Sequence, residues 1–570
     1  MASQGHFQQT CQNNPQYLET INKTTFIDSS KQLEEILLQF GKWGKFQYFY
    51  YLCLGFAVVF SVFTMNYIFL ARDIKYRCLI EECDLKTQTY NTNFLPEYVP
   101  FRNGLPERCL RYQPYSAANR SDLELCSNNS KISDSSITIK CSKFVFERKE
   151  FTIVHDFGIF CPENLWKLTV VGTISISGEL VSLAYSGFLS DRYGRKTIMC
   201  ASLLMSSLSG LLKSFSLNYS MFLVFEFMDT ALGGATYGAA FVLAMELVTA
   251  KDRNLGNTII SCVYALGQVI FGIAAWLIPS WRILIRILYF PGLLAIPLWI
   301  FLPESLRWLV SKHKSKEAID ILHHIARVNG REIYFEDTQG LQRAFDKSCN
   351  EEEHSNASKQ SQSGSFLDVL KHPVLLIRSL HCSLTWICCN FVFYGLTIHS
   401  VDVSESIYLS FIFSAVAETP GYVIYYYANE KWGRRRLMSS TLILGGAFCL
   451  AVGFLPESWM KLVAFFCGKC CLTIAYTVLY GFTIELFPTS SRHAMFSMCS
   501  MFGRFGSMVS PQIPILVRIS KLLPLFLFSF MATTFGILAL CFPETSHVPL
   551  PHTIEEAVHI GKHVRSQVTK

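Results

Sequence analysis

The sequence predicts an all-α membrane protein: twelve transmembrane helices in two pseudo-repeated six-helix halves, with a disulfide-rich extracellular loop. Three observations predict it. Of the 570 residues, 51% are hydrophobic and only 16% are charged, with a mean hydropathy of +0.29, whereas soluble domains carry about a quarter charged residues. Apolar runs of spanning length recur along the whole chain. A short charged phrase between two of those runs returns in the second half of the chain at matched spacing.

The spans come in order. The run from Phe46 to Leu70 has no charge in 25 residues, more than the roughly 20 a helix needs to cross a bilayer. Later runs fall at 167–190, 197–215, 220–244, 256–279, 283–302, 374–397, 406–428, 437–455, 461–484, 495–517 and 522–542. Residues 1–45 are polar and carry no signal-peptide pattern, so the helix at 46–70 is the expected first insertion signal. Two insertions break the rhythm, at 71–166 and 303–373. They separate helices 2–6 (167–302) from helix 1, and from helices 7–12 (374–542); a tail follows at 543–570.

Lys and Arg in short connections set orientation. The connections 191–196, 245–255, 303–373 and 429–436 are basic, while 216–219 and 398–405 contain no Lys or Arg. Basic loops face the cytoplasm, which puts both termini there and the 71–166 insertion outside. The net charge of +7 is then topological. It does not mark a nucleic-acid surface, because the cations sit between apolar runs.

The outside insertion holds Cys78, Cys83, Cys109, Cys126, Cys141 and Cys161, with glycosylation sequons at Asn119 and Asn128. An even cysteine number in an oxidising compartment reads as three disulfides, with 15 pairings open. Sequons at Asn22 and Asn356 fall in segments expected to be cytoplasmic and should stay bare.

The repeat is specific. Asp191-Arg192-Tyr193-Gly194-Arg195-Lys196 returns as Glu430-Lys431-Trp432-Gly433-Arg434-Arg435, and Glu246 with Arg253 returns as Glu485 with Arg492. The offsets agree, since 246 − 191 and 485 − 430 are both 55. The sixth and twelfth helices end in FLPES and CFPET. Glycine permits a tight turn and an acid can pair with arginines at the bundle rim, so each repeat, with Glu304 and Arg307 in the first half, is expected to act as a conformational latch. Plain topology signalling would account for the cations but not for the acid, the glycines or the duplicated spacing.

These residues resemble a known family. GFLSDRYGRK (187–196), the Glu246 to Arg253 phrase, PESLRWLV (303–310) with KEAIDIL (316–322), and ELFPTSSR (485–492) look like the organic cation, carnitine and organic anion transporter family, solute carrier family 22 of the major facilitator superfamily. SKFVFERKEFTIVHDFGIFCPENLW (142–166) and FYGLTIHSVDVSESIYLSFIFSAVAETPGY (393–422) add to the likeness, which covers about residues 40–560. The resemblance implies alternating access of two halves about a midplane cavity, at the plasma membrane. It implies a small organic ion as substrate, most simply an organic cation or carnitine-like zwitterion, with an organic anion as the second reading. Further expected partners are the lipid bilayer and a coupling ion or exchange substrate.

Ionisable residues inside spans are costly and usually line a polar path. Eight stand out: Glu179, Glu226, Asp229, Arg286, His381, Glu418, Lys469 and Arg504. Glu418 matches the acid of the family's Glu-x-Pro-Ala phrase, and is either a cavity wall or a partner of Lys469. Arg504 falls where carnitine and anion carriers of the family tend to have Arg and cation carriers Asp; its guanidinium offers a fork for a carboxylate, or pairs with Glu418. Tyr422 lies where anion carriers often place Lys. Tyr394, Tyr408, Tyr422 and Tyr237 are candidate walls for a quaternary ammonium, at about 0.5–2 kcal/mol each. Glu226 replaces the superfamily's frequent fourth-helix Arg, and with Asp229 reads either as an attractor of cations to an outward vestibule or as a solvated headgroup-level acid. Arg286 can snorkel, and His381 can bond a backbone carbonyl.

Enzyme chemistry finds no footing. The chain has no phosphate-binding Gly-x-x-x-x-Gly-Lys-Ser/Thr loop, zinc spacing or nucleophile elbow, and no metal or cofactor is expected.

Overall fold

The computed structural model describes residues 43–80, 84, 90, 98–102, 105–114, 133–148, 150–248, 252–312, 314–330, 366–399, 406–456, 458–488, 491–546, 551 and 554–560. The sequons Asn22, Asn119, Asn128 and Asn356, together with Cys83 and Cys126, lie outside the described residues.

Helices occupy all twelve expected positions. They are α1 (Lys45–Leu70), α2 (Pro162–Tyr193), α3 (Arg195–Lys213), α4 (Tyr219–Leu247), α5 (Arg253–Leu277), α6 (Trp281–Phe301), α7 (Pro373–His399), α8 (Ile407–Trp432), α9 (Arg434–Phe454), α10 (Ser458–Leu486), α11 (Arg492–Val509, continued by turns to Ile519) and α12 (Leu523–Cys541). Ten of these are long and apolar enough to cross a membrane on length and composition. The two that fall short, α3 and α11, are polar for a reason. α3 turns Ser202, Ser206, Ser207, Ser209 and Lys213 into the protein, and α11 carries Arg504, Ser507 and Ser510 inward. Protein interior rather than lipid receives those groups.

Local chemistry breaks several helices. α1 tightens to a 3₁₀ turn at Val62–Asn66, α6 does so at Phe290–Leu294 around Pro291, and α11 at Ser510–Gln512 around Pro511. The short Arg195–Lys213 helix starts at Gly194 with φ 101° and α9 starts at Gly433 with φ 77°, left-handed angles that favour glycine. A Cβ at either position would also run into the carboxylate of Glu304 or Glu544.

The 71–166 segment departs from an all-α reading, with six short strands among its described residues. Tyr76–Cys78 pairs with Phe144–Phe146 and Leu110–Pro114 with Ser133–Lys140, all antiparallel. Disulfides Cys78–Cys141 and Cys109–Cys161 fasten these ribbons. The segment docks on the α5–α6 turn, where Phe151 exchanges backbone bonds with Pro279 and Trp281 (2.9 and 3.0 Å). Asp156 also accepts Trp281 Nε1 and Arg282 Nε at 2.9 and 2.7 Å.

Three hydrophobic clusters organise the body. One draws only on the first half, from Phe46 to Ala326, and another only on the second, from Val369 to Ile560. The third joins the halves at the disulfide-bearing end, where Phe69 of α1 and Phe271 of α5 meet Tyr408 and Phe411 of α8. Gly172 of α2 and Gly272 of α5 allow close approach there, since a Cβ would sit 2.8 Å from Pro511 of α11 on the first and 2.7 Å from Ile412 of α8 on the second. Arg518 beyond that point reaches Asp73 at 2.8 Å, and Asp73 also holds Arg108. At the opposite end, which carries the two charged repeats, each half closes on its own core.

Candidate functional site

At that repeat end the two halves use the same parts. Arg195 pairs with Asp191 at 2.9 Å and with Glu246 at 3.4 Å; in the second half Arg434 pairs with Glu485 at 3.0 Å. The acids of FLPES and CFPET cap the helices that follow the glycine turns, α3 and α9. Glu304 Oε1 accepts the Lys196 N–H at 2.9 Å, and Glu544 Oε1 accepts the Arg434 N–H at 3.0 Å. A carboxylate at a helix N-terminus satisfies open N–H groups and meets the positive end of the dipole. Arg492 lies within electrostatic reach of Glu485, and Arg253 is the first residue of α5. Arg192 points outward over the Tyr193 ring, and the side chain of Glu430 lies outside the described residues. Arg307 stands on the short helix after Glu304. Glu544 was not singled out from sequence, although the FLPES/CFPET repeat contains the signal.

At mid-depth the structure separates Glu418 and Arg504 into different pairs. Glu418 of α8 is fully buried and bonds Lys469 of α10 at 3.1 Å, Gln268 of α5 at 3.0 Å and Tyr422 at 3.3 Å. Lys469, equally buried, also reaches Thr397 Oγ1 at 2.6 Å and lies 3.5 Å above the Phe393 ring. Each charge in this dry site therefore has several partners, as burial requires. Gln268 makes it a link between halves.

Arg504 of α11 pairs instead with Glu179 of α2 at 2.7 Å, with Tyr394 OH 3.3 Å away. Both side chains keep 18% exposure, whereas Glu418 and Lys469 keep none. Aromatic side chains surround the Glu179–Arg504 pair. Trp386 meets Tyr480 at 4.7 Å, Tyr476 stacks on Phe393 at 4.9 Å, and Tyr476 bonds Asn390 at 3.2 Å. From the first half, Tyr237 and Tyr264 contact each other at 5.3 Å, and both lie within electrostatic reach of Tyr394 and Glu418.

Other expected wall residues fall elsewhere. Tyr408 stacks on Phe69 and lies under Arg72 in the closed end, away from the pair. Tyr422 is held by Glu418. Glu226 and Asp229 are neither vestibule nor headgroup acids: both are fully buried against Lys213 of α3, at 2.8 and 2.9 Å. Lys213 closes its helix and is absent from the sequence-derived set, although two acids 13 and 16 residues later, in the next span, were the available signal. Arg286 donates to Ser214 at 3.1 Å and covers Phe215, and His381 stacks on Phe542 at 3.9 Å. Trp386, Asn390, Tyr476, Tyr480, Tyr264 and Gln268 escaped the sequence reading, because one aromatic or amide among many carries no charge signal.

Two six-helix halves around a charged, aromatic midplane define a transporter architecture, and the comparisons agree. The Major Facilitator Superfamily model matches residues 152–511 and 397–567. The chain belongs to that superfamily. It is similar to mouse solute carrier family 22 member 21, at 29% identity over 93% of this chain and 94% of the relative. It is similar to human organic cation/carnitine transporter 2 to the same extent, and to mouse solute carrier family 22 member 3 at 27% over 93% and 96%. Among solved structures it resembles the proton:xylose symporter XylE bound to 6-bromo-6-deoxy-D-glucose, with TM-score 0.54 and 17% identity over 71% of this chain and 92% of that one. The inward-open xylose transporter XylE from E. coli gives TM-score 0.53 at 16% identity. That likeness concerns the fold.

Proposed function

We propose that this chain carries small organic cations and carnitine-like zwitterions across the plasma membrane by alternating access, with both termini and the charged repeats in the cytoplasm. The relatives' names support the substrate class, and the Glu179–Arg504 pair is the observation that carries the reading. Unlike Glu418 and Lys469, it remains open to solvent, and it ties α2 of one half to α11 of the other. A zwitterion offers both charges needed to replace it: an ammonium for Glu179 among Tyr394, Tyr476 and Tyr480, and a carboxylate for the Arg504 fork. Exchange of partners lets the substrate enter without leaving either charge unpaired, and it loosens a link between the halves at the moment of loading. On this reading the disulfide-bearing end, where the halves pack together, faces outside and is closed in this state. The capped Arg195 and Arg434 clusters bias which state each half adopts.

The second reading, an organic anion carrier, would need an excess of accessible cations, and Arg504 is balanced by Glu179. Asn119 and Asn128 are proposed as glycan sites of the outside loop, with Cys83 and Cys126 forming its third disulfide. Uptake of radiolabelled carnitine, tetraethylammonium and p-aminohippurate by expressing cells tests the function. Uptake of carnitine or tetraethylammonium above control is expected; uptake of p-aminohippurate alone would reverse the substrate class.

A further inference from the structure

Inside the first half, with Tyr67 between it and the Glu179–Arg504 pair, lies a second charged group that transport of a substrate through the midplane does not use. Lys213 of α3, Glu226 and Asp229 of α4, Tyr289 of α6 and Asn66 of α1 are all fully buried. Lys213 Nζ reaches Glu226 Oε2 at 2.8 Å and Asp229 Oδ2 at 2.9 Å. Tyr289 donates to Asp229 Oδ2 at 2.5 Å and accepts from Asn66 Nδ2 at 2.9 Å, while Ser206 donates to Asp229 Oδ1 at 2.5 Å. Both oxygens of Asp229 are thus supplied with donors, the environment of an ionised carboxylate. Among the described residues Glu226 Oε1 receives no hydrogen bond, and the Ser175 hydroxyl that faces Glu226 donates to the Thr64 carbonyl at 3.3 Å.

The charge count does not close. Two carboxylates and one ammonium leave one surplus negative charge in a site sealed from water, and an uncompensated buried charge costs several kcal/mol. One proton removes the surplus. Asp229 is committed to three donors, so the carboxyl with spare capacity is Glu226. The groups facing it are Lys213 from α3, Tyr67 from α1, Ser175 from α2 and Asp229 on its own helix, with Tyr289 of α6 behind Asp229. None of these supplies a second cation.

We propose that Glu226, Lys213 and Asp229 form a proton-binding site, with the proton on Glu226 while the disulfide-bearing end is closed, and that its binding and release are coupled to transport. The route of coupling is physical. Asn66 ends the 3₁₀ turn of α1, and the residues on either side of it, Phe63 and Phe69, pack against Phe271, which with Phe69 meets Phe411 of α8. The triad therefore holds the segment on which closure of that end rests. With every member buried in this state, the proton exchanges with water only after the end opens, which makes its access alternate with the substrate's. This coupling rests on the alternating-access reading; proton occupancy does not.

Infrared spectroscopy of purified protein tests occupancy without any substrate. The wild type at neutral pH should show a protonated-carboxyl C=O band that is lost in Glu226→Gln and kept in Glu179→Gln. The same band in Glu226→Gln, or none in the wild type, overturns the site. Thermal melting gives a second readout. Glu226→Gln replaces a neutral group by a neutral isostere and should melt close to wild type, whereas Asp229→Asn strips Lys213 of its counter-ion and should melt well below it. Equal loss in both variants means Glu226 is ionised and refutes the assignment. For coupling, an imposed pH gradient should change uptake in the wild type and leave uptake by Glu226→Gln unaffected. A gradient response preserved in Glu226→Gln, or absent from a wild type that does transport, refutes the coupling.

Discussion

Glu418 and Lys469 are both sealed from water and matched by Gln268, Tyr422, Thr397 and the Phe393 ring. Removing one partner of such a pair leaves the other charge buried alone, at about 3–5 kcal/mol. Lys469→Met should therefore lower the melting temperature and surface expression sharply, with Lys469→Met/Glu418→Gln recovering most of the loss; melting of purified variants and cell-surface labelling check both. The ionisable residues of the midplane were legible in the sequence, because a charge inside an apolar run stands out. Their partners were not. Glu179 and Arg504 lie 325 residues apart, and which acid faces which cation depends on the neighbours each helix acquires in three dimensions. Lys213 was missed for a related reason: at a helix end it reads as a snorkelling cation until the chain folds two acids onto it.

Helices and loops carry a different kind of information. Apolar length marks ten of the twelve helices clearly and α3 and α11 less so, and the sequence also announced the paired turns at Gly194 and Gly433 through the repeat. The break within α11 falls at Pro511, but the break within α1 and the strands of the 71–166 segment follow from packing and disulfide pairing, to which periodicity is blind. Arg195→Ala should cut turnover more than surface expression, since it removes the partner of Asp191 and Glu246 but no midplane contact; initial rates normalised to surface protein decide it. Gly172→Val places a side chain against Pro511 and Tyr67 in the closed end. It should favour the outward-open state and raise labelling of cavity residues by impermeant reagents from outside. In the 71–166 segment, burial lowers the affinity of His155 for protons, offset in part by Asp156. Its neutral ring accepts the Thr152 N–H at 3.4 Å and lies 4.0 Å from the Phe146 ring. The stability it contributes is present above the unfolded value of about 6.5 and is lost as pH falls through the lower folded value. Melting temperature should accordingly fall on mild acidification, less so in His155→Gln.

Across the whole molecule, the distribution of contacts defines the state. Aromatic packing and the Asp73–Arg518 pair close the halves together at one end, the Glu179–Arg504 and Gln268–Glu418 contacts cross at mid-depth, and each half is self-contained at the repeat end. The superfamily architecture was readable from the duplicated phrases; the conformational state was not, because two states of one sequence share every motif. Substrate chemistry and state meet at one pair of side chains. The direct measurement is uptake of radiolabelled carnitine and tetraethylammonium by Glu179→Gln, normalised to surface protein. The account predicts that both fall by at least about tenfold, the loss of roughly 1.4 kcal/mol expected when an ammonium loses its charged partner. Wild-type uptake of both by a normally trafficked Glu179→Gln protein would contradict it.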